Sequence, residues 1–181
     1  MSAGHGHIDP SNKKIALLIA VLALVLAFSE TLGKAAQTSA LSLNIEASNL
    51  WAFFQAKTIR QTVLRTAAEQ SSLTTPNDEA KKQIEAWRKT AQRYQTEPET
   101  GEGRDELMAR AKDAEKKRDR AMAAYHQYEL ASAAVQIAIV LASAAIVTGA
   151  MALAWIGAGL GVLGIAFCLI GFLAPTAVHV F

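Results

Sequence analysis

No aspartate, glutamate, lysine or arginine follows Glu129 in this chain of 181 residues, so its last 52 positions carry no formal charge. A soluble fold has to present polar surface to water, and 52 consecutive uncharged residues are hard to place in one. Over the whole chain 51% of the residues are hydrophobic and only 19% are charged. The composition therefore predicts an integral membrane protein rather than a globular enzyme.

Several chemical signatures are also missing. The single cysteine, Cys168, excludes an intrachain disulfide, and a net charge of +2 gives no reason to expect a nucleic acid partner. No Ser/His/Asp set, metal-ligand quartet or phosphate-binding loop is present, so we expect no enzyme, no catalytic residue and no cofactor. Residues 159–164 have the GxGxxG spacing of a dinucleotide fingerprint, but they lie inside an apolar segment with no acid after it.

What the chain does have is three long apolar segments. The first, residues 15–33, is long enough to cross a bilayer core of roughly 30 Å, and no signal-peptide cleavage site follows it. The second and third are residues 130–151 and 153–174, and near their junction only Thr148, Gly149 and Trp155 offer a turn or an interfacial anchor. We therefore predict an all-α membrane protein with three transmembrane helices, the last two forming a tight antiparallel hairpin.

The polar segment between the first two spans, residues 34–129, has helical periodicity and no lasting strand-like alternation. We expect Thr75 to cap a helix, because a proline and two acidic residues follow shortly after it. Apolar positions in 80–94 and 107–128 recur at alternating four- and three-residue steps, as in a coiled-coil seam. No helix breaker lies within 104–136, so one helix should run from the insert into the second span. We predict a coiled-coil-like helical-hairpin insert.

Small residues recur on one face of each of the last two spans, at steps of three, four or seven residues. They are Gly157, Gly161, Gly164, Gly171, Ala131, Ala138, Ala142 and Ala145. Such faces let helices approach one another closely in membranes. The spacing predicts helix packing, and it leaves open whether the faces pack within the chain, between copies or around a pore.

Glu30 is the acid closest to an apolar segment, and acids within membranes are candidates for functions such as proton transfer. It lies about one turn from the end of the first span, and Lys34 follows four residues later. The alternatives are therefore a functional acid and an interfacial ion pair between Glu30 and Lys34.

An aromatic cluster, Trp51, Phe53 and Phe54, is flanked by Lys57 and Arg60. Basic and aromatic residues together are typical of nucleic-acid binding, but no stacking platform accompanies them, so we expect no nucleic acid partner. The cluster is expected in the core of the insert or on an amphipathic face at the membrane surface, and it is a possible interface.

Both ends of the chain are predicted to be tails, with residues 1–14 disordered and residues 175–181 following the last span. His5, His7 and Asp9 have the spacing of a metal-binding pair, but such a tail supplies no surrounding structure to fix their geometry. We therefore expect no metal site there.

The distribution of basic residues gives two conflicting orientations. Lys13 and Lys14, against the single Lys34, favour a cytoplasmic N-terminus, whereas the basic residues at 116–120 favour a cytoplasmic insert. One span separates the two sides, so both cannot hold. Because the uncharged turn between the last two spans suits the outside face, we expect the insert in the cytoplasm.

Four stretches resemble a known bacterial membrane-protein family. They read DP at 9–10, NKKIALL at 12–18, SETLGK at 29–34 and NIEASNLWAFFQAK at 44–57. The family is DUF4337, a domain of unknown function, and the similarity is most specific over residues 9–70. The resemblance implies a multi-pass protein of the bacterial inner membrane with three spans, and it implies no activity and no catalytic residues.

We expect a non-enzymatic structural or accessory protein that assembles through its Gly/Ala-faced helices and its helical insert. Besides the lipid bilayer, its partners would be further copies of itself or the subunits of a larger membrane complex. A small oligomeric channel or transport subunit, with the glycine faces around a pore, is one alternative. A lipid-binding or membrane-shaping protein that uses the aromatic cluster and the basic helix is another.

Overall fold

The computed structural model describes residues 10–177, and these residues form four α-helices and no strand. The helices are α1 (Pro10–Ser72), α2 (Asp78–Gln95), α3 (Arg104–Thr148) and α4 (Met151–Leu173). The prediction of an all-helical protein is confirmed. Three of the helices, α1, α3 and α4, are long and apolar enough to cross a membrane. The bounds 15–33, 130–151 and 153–174 for the membrane spans stay predictions.

Two of the helices continue well beyond their apolar parts. α3 is unbroken from Arg104 to Thr148, as the absence of a helix breaker predicted. α1 is also a single helix, although Gly33 lies inside it. A Cβ added at Gly33 would lie 3.3 Å from the Cβ of Tyr128, so this glycine lets α1 come close to α3.

The chain divides into two compact units, and the one that we call unit 1 contains the described residues up to Ala40 and those from Asp119 onward. Its core consists of small and medium apolar side chains: Ile15, Leu22, Val135, Ala138, Ala142, Ala145 and Ala154. Larger side chains such as Leu17, Leu24 and Phe28 lie exposed on the outside. Small residues inside and large apolar residues outside are what lipid as a solvent favours, because close packing rather than water exclusion drives helix association there.

The turn between α3 and α4 lies at Gly149, one of the three residues that the sequence offered as a turn or an anchor. Gly149 has a φ of 71°, in the left-handed region that suits glycine. Its N–H donates to the carbonyl of Ala145 at 3.0 Å, and the N–H of Ala150 donates to the hydroxyl of Thr148 at 3.3 Å. Both of these backbone N–H groups are therefore hydrogen-bonded within four residues of the turn.

Unit 2 is the segment Leu41–Arg118. It contains three helical segments, namely the end of α1, the whole of α2 and the start of α3. Its core cluster comprises Ala47, Leu50, Leu107, Ala111 and Ala114. With three segments present instead of two, a coiled-coil-like hairpin stays a prediction for this insert.

The start of α2 corrects one expectation. The N-cap is Asn77, whose Oδ1 accepts a hydrogen bond from the N–H of Ala80 at 2.8 Å, and not Thr75. Asparagine ranks above threonine as an N-cap, and its side-chain oxygen satisfies a free N–H of the first turn here. This start also places Asp78 and Glu79 in the first turn, where their charges interact favourably with the helix dipole.

Candidate functional site

The glycine face of α4 is buried inside unit 1. Its members are Gly157, Gly161, Gly164 and Gly171. A Cβ added at Gly157 would lie 2.9 Å from the carbonyl oxygen of Ala138, and one at Gly164 would lie 3.1 Å from that of Ala131. These distances leave no room for a side chain, so the glycines allow α4 to lie directly against the backbone of α3.

The facing surface of α3 is equally closed. Ala131, Ala138, Ala142 and Ala145 are at most 2% exposed. Val135 is fully buried on the same face, and Gly164 leaves the space that it fills. Val135 is not a small residue and was not predicted on this face. Its position four residues after Ala131 and three before Ala138 indicates that it belongs there.

The two small-residue faces therefore pack within the chain, which was one of the three possibilities that the spacing left open. Gly161 also contacts Leu22 of α1, so all three helices of unit 1 meet at this face. Within residues 10–177 no observation favours a pore lined by these glycines.

Two linked hydrogen bonds join α1 to α3 within the same bundle. Ser29 is fully buried, and its hydroxyl donates to the carbonyl oxygen of Tyr128 at 2.9 Å. The hydroxyl of Ser132 in turn donates to that of Ser29 at 3.1 Å. The only indication of Ser29 in the sequence is its place seven residues after Leu22 on the buried face of α1.

Glu30 lies exposed on the surface of unit 1 and not in its core. Its Oε1 accepts a hydrogen bond from the side-chain amide of Gln136 at 3.3 Å. Of the two alternatives for Glu30, the ion pair with Lys34 is not formed within residues 10–177. An exposed ion pair gains little over solvation by water, and the amide from α3 is a sufficient partner.

The aromatic cluster belongs mostly to the core of unit 2. Trp51 and Phe54 pack against the core cluster and meet edge to face, with ring centroids 5.4 Å apart. The indole Nε1 of Trp51 donates to Glu115 Oε1 at 2.8 Å, while Phe53 stays partly exposed. Of the alternatives for these residues, the contacts favour core packing.

Lys57 is a buried cation, whereas its sequence context predicts only a charge beside the aromatic cluster. It is 4% exposed, and its Nζ lies 3.2 Å from Glu97 Oε2 and 3.7 Å from Glu102 Oε2. The same Nζ lies 5.3 Å from the ring centre of Phe53 and 5.5 Å from that of Tyr94. A buried charge needs such partners, and they join α1 to α2 and to the loop that follows it.

The carboxyl group of Glu97 responds to this contact. The hydrogen bond from Lys57 lowers the pKa of Glu97 below its ordinary value of 4.5, while desolvation opposes the shift, and the charges of Lys57 and Arg93 add to the lowering. The ionised form is therefore the one that unit 2 stabilises.

Gln61 joins all three helical segments of unit 2. It is buried, and its Nε2 donates to the carbonyl oxygen of Ala91 at 2.9 Å. Its Oε1 accepts from Arg104 at 2.5 Å, and the Arg104 guanidinium lies 5.0 Å from the ring centre of Phe54. Lys57 and Gln61 follow Phe54 at steps of three and four on the buried face of α1, which is the signal that could have found them.

The opposite side of α1 in unit 2 carries a second apolar stripe, which we call the outer face. It consists of Leu41, Ile45, Ile59 and Val63, each 54 to 65% exposed. The steps of 4, 14 and 4 residues keep all four on one side of the helix. Exposed apolar side chains in such a row mark an interaction surface more often than scattered ones do.

The described residues form no metal or cofactor site. Among the described residues no group of three or more histidine, cysteine or acidic side chains is placed to hold a metal ion. His5, His7 and Asp9 lie outside the described residues. The segment 159–164 lies inside α4, without the strand and turn that a dinucleotide fingerprint requires.

The fold defines an all-helical protein with three helices able to cross a membrane, built around a small-residue bundle core. The profile of the family described as Domain of unknown function (DUF4337) matches residues 11–174. The chain belongs to this family. No match was found among the curated proteins or among the solved structures.

Proposed function

We propose that the protein is a non-enzymatic structural or accessory component of the bacterial inner membrane, and that it acts by self-assembly through its insert. The outer face of α1 carries this proposal. The glycine and alanine faces are occupied within unit 1, so in this scheme they build the bundle. The outer face is the surface proposed for assembly, because its apolar side chains are exposed among the described residues.

A second copy of the chain is the partner that fits the outer face best. Copies inserted in one membrane with the same orientation present α1 in parallel, which is the geometry of an in-register coiled coil. In such a pair Ile45 and Ile59, which are 14 residues apart, would meet their own counterparts, and Leu41 and Val63 would lie beside that contact.

The particle mass of the full-length protein in mild detergent and in lipid nanodiscs tests the proposal. The double variant Ile45→Lys with Ile59→Lys should reduce the mass to that of one chain, because four buried ammonium groups would oppose pairing. Leu73→Lys is the matched control, since Leu73 is 87% exposed just beyond the end of α1. A monomeric unmodified protein, or an unchanged mass in the double variant, would refute it.

We also propose that the insert lies in the cytoplasm. The support is the basic run at 116–120 before the second span, and the absence of charge in the turn at Gly149. Lys13 and Lys14 argue the other way, because Ile15 packs with Ala145 and Ala154 and so puts this end of α1 beside that turn. Fusions of alkaline phosphatase and of a fluorescent protein near Gly101 test this orientation. Phosphatase activity there would show that the insert lies outside the cytoplasm and would refute the proposal.

A further inference from the structure

A groove in unit 1 lies between the first turns of α1 and α4. It has a volume of about 450 Å³, within the range of sites that hold small molecules. Ile15, Leu18, Ala154 and Ala158 contribute its apolar lining, and Lys14 and Trp155 also line it. The lining reaches from Met151 to Ala158, which is about 10 Å along α4.

Its position matches the boundary between lipid tails and headgroups. The groove begins where α1 turns from the lysine pair to apolar residues, and Trp155, 76% exposed, lies in the first turns of α4. Tryptophan is enriched at this depth because its ring is apolar and its N–H is polar. Lysine extends its ammonium from this depth to the headgroups while its stem stays among apolar groups.

Among the described residues, the charge at this end of unit 1 is positive. The acids among the described residues of unit 1 are Glu30, Asp119 and Glu129, and none of them lines the groove. Lys14 is exposed and forms no ion pair within residues 10–177. At the same end, α4 starts with no side chain capping it, so its first N–H groups also favour an anion.

We propose that this groove binds an anionic phospholipid, with one acyl chain against Leu18 and Ala158 and the headgroup phosphate on the Lys14 ammonium. The apolar lining binds any acyl chain, and the lysine selects the anionic headgroup. The site would anchor this end of the bundle to one class of lipid.

The test uses quenching of Trp155 fluorescence in the full-length protein by lipids with brominated acyl chains, added to detergent micelles. Trp155→Phe supplies the background from Trp51 and Trp87. Brominated phosphatidylglycerol should reach half-maximal quenching at about fivefold lower content than brominated phosphatidylcholine, the factor expected from one lysine beside an anionic lipid. Equal quenching by the two lipids would overturn the proposal.

Two variants separate the groove from general attraction to the surface. Lys14→Gln should remove the preference for phosphatidylglycerol, whereas Lys13→Gln, at a lysine that does not line the groove, should keep it. Ala158→Leu should fill the groove and reduce quenching by both lipids, with far-ultraviolet circular dichroism confirming the helices. Equal loss of preference in both lysine variants, or undiminished quenching in a folded Ala158→Leu protein, would contradict a defined site.

Discussion

Replacing Gly157 by alanine tests the close approach of α3 and α4. The new Cβ would lie 2.9 Å from the carbonyl oxygen of Ala138 and 3.4 Å from the N of Ala142. Both atoms belong to backbone, so no side-chain rotation can relieve the contact. The two helices would have to separate by about half an ångström, and overpacking of this kind costs about 1–3 kcal/mol.

Gly159 provides the matched control two residues further along α4. A Cβ there meets no atom within 4 Å. Both substitutions gain the same helix propensity, about 1 kcal/mol for alanine over glycine, so the difference between them isolates the steric effect. Gly157→Ala should therefore be less stable than Gly159→Ala by about 1–3 kcal/mol. Gly161→Ala should fall between them, because its neighbour is the flexible end of Leu22.

The assay is reversible unfolding of the full-length protein in mixed micelles with increasing dodecyl sulfate, followed by far-ultraviolet circular dichroism. Equal midpoints for Gly157→Ala and Gly159→Ala would refute the reasoning, because they would show that the two helices do not meet at this face. A lower midpoint for Gly159→Ala would refute it as well.

Three further predictions use the same unfolding measurement or its pH dependence. Asn77→Ala should lower the free energy of unfolding by about 1 kcal/mol, because it removes the N-cap of α2. Thr75→Ala should change it little. A larger loss in Thr75→Ala than in Asn77→Ala would show that Thr75 is the cap. Ser29→Ala should cost about 0.6–1.7 kcal/mol, as for other hydrogen bonds between membrane helices, whereas Ser143→Ala should be nearly neutral because Ser143 bonds only within its own helix. The depressed pKa of Glu97 contributes stability above pH 4.5 that is lost as the pH falls through the lower folded value. Glu97→Gln should therefore flatten the fall in unfolding free energy below about pH 5, and an unchanged profile would contradict this.

Periodicity found the helices because helix formation depends on residues three and four positions apart. It also found the glycine and alanine faces, and the sequence included Gly149 among three candidates for the turn or an anchor. It misplaced the cap of α2, where Thr75 and Asn77 both suit the role and only the observed geometry distinguishes them. Periodicity did not identify Lys57 as buried. Its partner Glu97 is 40 residues away in sequence, and local spacing does not distinguish a buried, paired lysine from a solvated one.

The sequence by itself determined that this is a helical protein with three segments able to cross a membrane, because hydropathy and helical spacing are properties of neighbouring residues. Tertiary structure decided which surfaces are used. It closed the glycine face of α4 against α3, turned Trp51 into the core of unit 2, and left the outer face of α1 exposed. The physical reason is that α1 carries two apolar stripes in its later half, and the stripe that packs depends on distant helices, which local spacing does not specify.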